Sequence, residues 1–136
     1  MAADGVQLIV VDAANVVGSR PDGWWRDRPG AARRLLERMA GPRAWQAEPG
    51  EVIVVLEGAA KAAVDAAVDP EFGGMRVVLA DGSGDDAIVG VVAAARAEDS
   101  SRPITVVTAD RGLRARVAAV GAETVGPHWL LDRLGA

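Results

Sequence analysis

Five residues carry the chemistry this chain could do. Asp12 and Asn15 lie in VVDAANVVG (residues 10–18), Asp85 and Asp86 follow Gly82-Ser83-Gly84, and Asp110 lies in VVTADRG (residues 106–112). Asp12 ends an apolar run, while Asp85 and Asp86 follow one and Asp110 ends another, each of the latter where a helix-like stretch begins. In a parallel sheet the carboxyl ends of the strands share one edge, and ligands bind in the crevice there. If the strands of Asp12 and Asp110 are neighbours, three acidic positions distant in sequence meet in one cleft. Crowded carboxylates repel one another, and a divalent cation relieves them while lowering their pKa values. An amide at Asn15 can hold a metal-bound water or a phosphate oxygen without adding charge. Such a set suits metal-assisted phosphodiester hydrolysis, with Asp12, Asp110 and one or both of Asp85 and Asp86 holding one or two Mg²⁺ or Mn²⁺ ions. Arg111, beside Asp110, is positioned to neutralise a transition state. Glu57 ends another apolar run and could reach the same edge.

Purely local roles compete with this reading. Asp12 fits an Asx-turn, Ser83 with Asp86 a capping box, Asp110 an N-cap, and Arg111 a helix-surface cation. Capping does not require all the acids to share one edge, which favours the joint reading.

The elements that must position these residues alternate. Apolar runs at Gln7–Val11, Glu51–Leu56, Arg76–Ala80 and Ile104–Thr108 read as buried strands, and Glu123–Val125 as a short fifth. Between them, Ala31–Met39 is amphipathic, with Pro29 in its first turn and Gly41-Pro42 as its stop. Ala59–Val68 is a small-residue helix ended by Asp69-Pro70. Asp85–Ala97, Arg111–Val120 and Pro127–Leu134 are the remaining helices, and residues 18–28 form a long loop. Strands alternating with helices predict an α/β fold: one domain over residues 1–136, a three-layer α/β/α sandwich around a parallel sheet of about five strands.

Composition narrows the chemistry. The 136 residues include no Cys and one His, which removes disulfides, thiol catalysis and a multi-histidine zinc site. A metal here would be held by oxygen, which favours Mg²⁺ or Mn²⁺. No apolar run reaches membrane-spanning length and the start does not resemble a secretory leader, so a cytoplasmic location is expected. The net charge of −4 hides an asymmetry. Residues 20–43 hold Arg20, Arg26, Arg28, Arg33, Arg34, Arg38 and Arg43 against Asp22, Asp27 and Glu37, a net of +4 that leaves −8 on the rest. Arg side chains can track phosphates, joined at the site by Arg111, and Trp24 and Trp25 can stack on unpaired bases. The other readings of the Trp pair are packing against the body and a homodimer or protein-partner contact. Trp45 and Trp129 read as packing residues, His128 as a capping or surface residue.

VVDAANVVG, then GSGDDAIV, then VVTADRGLRARV together resemble the NYN domains of the PIN-like ribonuclease superfamily, in its Regnase and YacP-like branches. Those show an Asp-x-x-Asn after strand one, an Asp-Asp opening a middle helix and a Ser/Thr-x-Asp after a later strand. The resemblance runs from Val10 to about Val117. It implies a three-layer fold and Mg²⁺- or Mn²⁺-dependent cleavage of single-stranded or structured RNA. Asp12, Asn15, Asp85, Asp86 and Asp110 match the family's acidic site. Two features depart from it: the further acid that many relatives carry near the last strand or helix has no clear counterpart beyond Glu123 or Asp132, and there is no RNA-binding zinc finger.

Two other readings stay open. Gly82–Ala87 fits the G-x-G-x-x-A dinucleotide fingerprint, though a pyrophosphate would meet two carboxylates on that helix start. A non-catalytic RNA- or protein-binding module on the same fold is the second.

Overall fold

The computed structural model describes residues 6–20, 22–40, 45, 50–64 and 71–135. Its centre is the most apolar stretch of the sequence, Gln7–Asp12 (β1), where Leu8 to Val11 are buried on both sides. β1 pairs in parallel with Gly50–Leu56 (β2) on one side and Ile104–Val107 (β5) on the other. β2 also pairs with Met75–Leu79 (β4), which carries Glu71–Phe72 (β3) at one edge, and β5 pairs with Glu123–Val125 (β6) at the other. The strand order is therefore β3-β4-β2-β1-β5-β6.

The helices are Ala13–Gly18 (α1), Arg28–Ala40 (α2), Gly84–Glu98 (α3), Arg111–Ala118 (α4) and Pro127–Arg133 (α5). Side chains alternate across a strand, so each strand feeds two cores. Ile9, Val11, Val52, Val54 and Leu56 pack with Val16, Leu35, Leu36, Met39 and Leu130 of α1, α2 and α5. Leu8, Val10, Ile53, Val55 and Val106 pack with Ile88, Val92, Leu113 and Val117 of α3 and α4. This is the expected three-layer sandwich. Trp45 is buried and its indole N–H donates to the Met39 carbonyl at 3.0 Å, as a packing residue should.

Three expectations change. The sheet has six strands, because β3 folds back antiparallel on β4 through Gly73-Gly74. Both glycines take positive φ (57° and 84°), as a tight hairpin turn needs, and a Cβ on Gly73 would collide with Ala40. Where the helix Ala59–Val68 was expected, Gly58–Ala63 is a 3-10 helix followed by extended Val64, and residues 65–68 lie outside the described residues. Gly58 enters it at φ 59°, and the Lys61 ammonium ties it to the Ala80 carbonyl at 2.9 Å. The end of that expected helix, Asp69-Pro70, and the Gly41-Pro42 stop lie outside the described residues. Finally, the chain after Asp12 makes a full short helix, α1, where a single turn was expected. Among the described residues no helix is long and apolar enough to cross a membrane.

The Arg96 guanidinium, near the end of α3, donates to the carbonyls of Asp99, Ser100, Arg102, Val120 and Gly121. It fastens the approach to β5 to the turn after α4.

Candidate functional site

Successive connections run from β1 outward to β2 and β4, then return across β1 to β5. The order therefore reverses between β1 and β5, and the carboxyl edge of that pair is where an open α/β sheet forms its ligand crevice. Asp12 ends β1 and Asp110 follows β5, so the condition set by the sequence is met.

Both acids are N-caps. Asp12 accepts from the Asn15 N–H (3.3 Å) at the start of α1, and Asp110 Oδ1 from the Leu113 N–H (3.0 Å) at the start of α4. The local and joint readings are thus true together, because the caps are what aim the carboxylates at the edge. Thr108 joins the two acids. Its hydroxyl donates to Asp12 Oδ2 (2.9 Å) and accepts from the Asp110 N–H (3.1 Å), and the residue is fully buried. The Asn15 amide oxygen reaches across the same gap to the Ala109 N–H at 2.8 Å. Asn15 therefore stitches β1 to β5, with its amide nitrogen left for a ligand role.

The third acidic position splits. Asp85 faces the cluster: burial raises its carboxyl pKa most, Asp110 and Glu57 raise it further, and Arg116 partly offsets them. Asp86 forms an ion pair with Arg116 at 3.0 Å, with its side chain 74% exposed. The expected capping box is half made, since Ser83 accepts from the Asp86 N–H (3.1 Å) while the Asp86 carboxylate goes to Arg116.

Asp12 is also raised, first by burial, against the lowering hydrogen bonds from Thr108 and Asn15, and then by Asp85 and Glu57. Glu57 is thus a full member of the cluster. It follows β2, next to β1, and its carboxylate lies so close to Gly84 that a Cβ there would strike it. The sequence signal for Glu57 was its position after an apolar run, which only the sheet order turns into proximity. Thr108 was visible only as the Thr of Thr-x-Asp.

The donor set is all oxygen, and burial, with neighbouring carboxylates second, disfavours ionisation of Asp12 and Asp85, which suits a hard divalent cation. Among the described residues, no three acids converge within metal-holding distance as they stand. Asp85 is half-buried at the start of α3, and Asp110 is exposed.

The basic strip divides. Arg28 lies over Trp24 (5.5 Å), and both line a cleft that Glu57 also lines, while Arg26 lies over Trp25 (5.9 Å). Arg20 and Arg34, with Arg38, line a separate groove of about 220 Å³ against Val16, Val17 and Leu131. Arg33 is engaged elsewhere, with Glu37 (3.5 Å), the Ala63 carbonyl (3.1 Å) and the Phe72 ring (4.6 Å). Arg111 is exposed at the first position of α4, and Arg43 lies outside the described residues. His128 is exposed, and Trp129 is half-buried under the Arg133 guanidinium (4.1 Å).

Two solved structures of Rae1 (YacP) from Bacillus subtilis, one of them a mutant, superpose on this chain with a TM-score of 0.72 each. The chain has the Rae1 fold. The match covers 96% and 94% of this chain and 76% and 73% of the two Rae1 chains, at 19% and 20% identity. This is the YacP-like architecture that the three motifs resemble. No protein-family model matches the chain, and no curated protein matches its sequence.

Proposed function

We propose that this protein is a divalent-metal-dependent ribonuclease working in the cytoplasm, with Asp12, Asp85 and Asp110 as its principal metal-holding acids and Glu57 as a fourth. The observation that carries the reading is the link from Asp12 through Thr108 to Asp110 across β1 and β5, with Asp85 and Glu57 acting electrostatically on the same carboxylates. The YacP-like resemblance implies RNA as the substrate, and the fold shared with Rae1 agrees with it. A bound Mg²⁺ or Mn²⁺ would supply a polarised phosphoryl oxygen and a water of lowered pKa. The chain's own residues do the rest. Thr108 and the two cap hydrogen bonds fix the carboxylates, and the Asn15 amide nitrogen is offered to a phosphate oxygen or a water. Arg111 neutralises developing charge, while Arg28, Trp24 and Trp25 hold the strand. Asp86, paired with Arg116, serves as an outer acid that sets the approach to Asp85.

A second reading, RNA binding without cutting, is favoured by the lack, among the described residues, of three acids converging on one point. Cleavage of a labelled single-stranded RNA in Mn²⁺, Mg²⁺ or EDTA, with wild type, Asp12→Asn, Asp110→Asn and Asp86→Asn, decides. Metal-dependent cutting abolished by the first two and only reduced by the third supports the proposal. No cutting in either metal, together with no rise in Tm on adding Mn²⁺, refutes it.

A further inference from the structure

Beside the acidic cluster lies a cleft of about 240 Å³ lined by Ala13, Ala14, Trp24, Arg28, Glu57 and Ala60 among others. That is the liquid volume of about eight waters, on the scale of a small ring. We propose that it receives one unpaired RNA base next to the phosphate that is cut, an inference that rests on the ribonuclease reading.

Three observations support it. First, the lining is shaped for a flat ring. Four of the lining residues are alanines, Ala13, Ala14, Ala32 and Ala60, which carry no branches, while Trp24 supplies an aromatic face with the Arg28 guanidinium 5.5 Å from its centroid. Base stacking on such a wall is tolerant of sequence because every base has a π-face. Second, the cleft and the cluster share a residue. Glu57 lines the cleft and also acts on Asp12 and Asp85, and Ala13-Ala14 follow directly on Asp12. A nucleotide whose base enters here carries its phosphate towards the acids. Third, an exposed aromatic ring adjoins the cleft's Trp24. Trp25 is 54% exposed and stands at 88° to Trp24, with Arg26 over its ring, so a second stacking face waits outside the cleft for the neighbouring base. The chain would therefore select single-stranded RNA, since a paired base must first leave its stack to enter.

The test scans the base rather than the phosphate. A labelled single-stranded RNA of about eight nucleotides is prepared with an abasic ribose at each position in turn. Its binding to wild-type protein is measured by anisotropy in EDTA at low ionic strength, and its cleavage in Mn²⁺. One position should stand out, where removing the base weakens binding about 10-fold, as expected for one base–aromatic stack. Trp24→Ala should weaken binding of the intact RNA by the same factor and lose all sensitivity to the abasic position. Ala60→Leu, which fills the cleft without touching the aromatic wall, should do the same if Trp24→Ala does not fold. A flat abasic scan in wild type, or equal losses for intact and abasic RNA in both variants, overturns the base site. Cutting in Mn²⁺ with a flat scan leaves the ribonuclease standing without this cleft. The single-position pattern without cutting upholds the base site and refutes the ribonuclease.

Discussion

Replacing Thr108 by Val keeps the side chain's size and deletes its hydroxyl at the point where the two halves of the site are joined. The backbone of residue 108 is held independently: its N–H donates to the Val125 carbonyl (2.8 Å) and its carbonyl accepts from Arg114 (2.9 Å). What is lost is the donor to Asp12 Oδ2 and the acceptor for the Asp110 N–H. A hydrogen bond to an ionised group contributes about 1.5–3 kcal/mol, and the partly buried Asp110 N–H loses its acceptor as well. The expected destabilisation is about 2–3 kcal/mol. With an unfolding entropy of about 2.1 cal/mol/K per residue, this lowers Tm by about 7–10 °C for a domain of this length. Thr108→Ser, which keeps the hydroxyl and loses one buried methyl, should cost about 1 kcal/mol.

The pH dependence separates this account from mere packing. Burial raises the Asp12 carboxyl and the Thr108 hydroxyl pulls it back down, so the bond favours the ionised form. Below about pH 4 Asp12 is protonated in folded and unfolded chains alike, and the Val variant should lie closest to wild type. The gap should widen as pH rises through the folded-state pKa of Asp12. Urea titrations between about pH 4 and pH 8 read it directly. A Val variant within about 0.5 kcal/mol of wild type at neutral pH, a Ser variant as unstable as Val, or a gap independent of pH would each refute the reasoning.

Other expectations follow from the same geometry. Asp12 has a raised folded-state pKa, so its unfolded form releases its proton first, and without metal its contribution to stability falls as pH rises from about 4 through the folded value. Asp12→Asn should therefore melt higher than wild type at pH 7 without metal, show a flatter pH–stability curve, and gain less than wild type from Mn²⁺ in thermal melts. Gly84→Ala places a methyl against the flexible end of Glu57; Tm should move by less than about 3 °C while the Mn²⁺ concentration needed for stabilisation, followed by the same melts, rises. Arg96→Ala removes a cation bonded to five carbonyls and should cost about 2–4 kcal/mol in urea unfolding, with unchanged metal requirement in the cleavage assay.

The central strands were legible because a strand buried on both faces must be largely apolar, as β1 and β2 are, while β4 and β5 carry shorter apolar runs. The expectation that Asp12 and Asp110 meet rested on strand order, which hydrophobic pattern does not encode but which the chain adopts. β3 was hidden by its two-residue length, although Gly73-Gly74 is itself a hairpin signal. Ala59–Val68 looked helical because alanine favours helix, yet a short segment forms what its tethers allow, here the Lys61–Ala80 bond. α1 was masked by Val16 and Val17, whose preference for strands is outweighed by the Asp12 cap and by burial of Val16 in the core. Asp86 was grouped with the other acids by adjacency, but neighbouring helix positions point about 100° apart, and its side chain turned to Arg116.

The hydrogen bond from Thr108 to Asp12 spans 96 residues of sequence, and that span sets when the site can exist. During synthesis β1, β2 and β4 can pair with one another long before β5 leaves the ribosome, because domains assemble as chain becomes available and contacts distant in sequence close last. Until then Asp12 lacks its brace and Asp110 has not joined it. A site built across these strands is thereby incomplete until β5 has emerged, through the order of its strands alone.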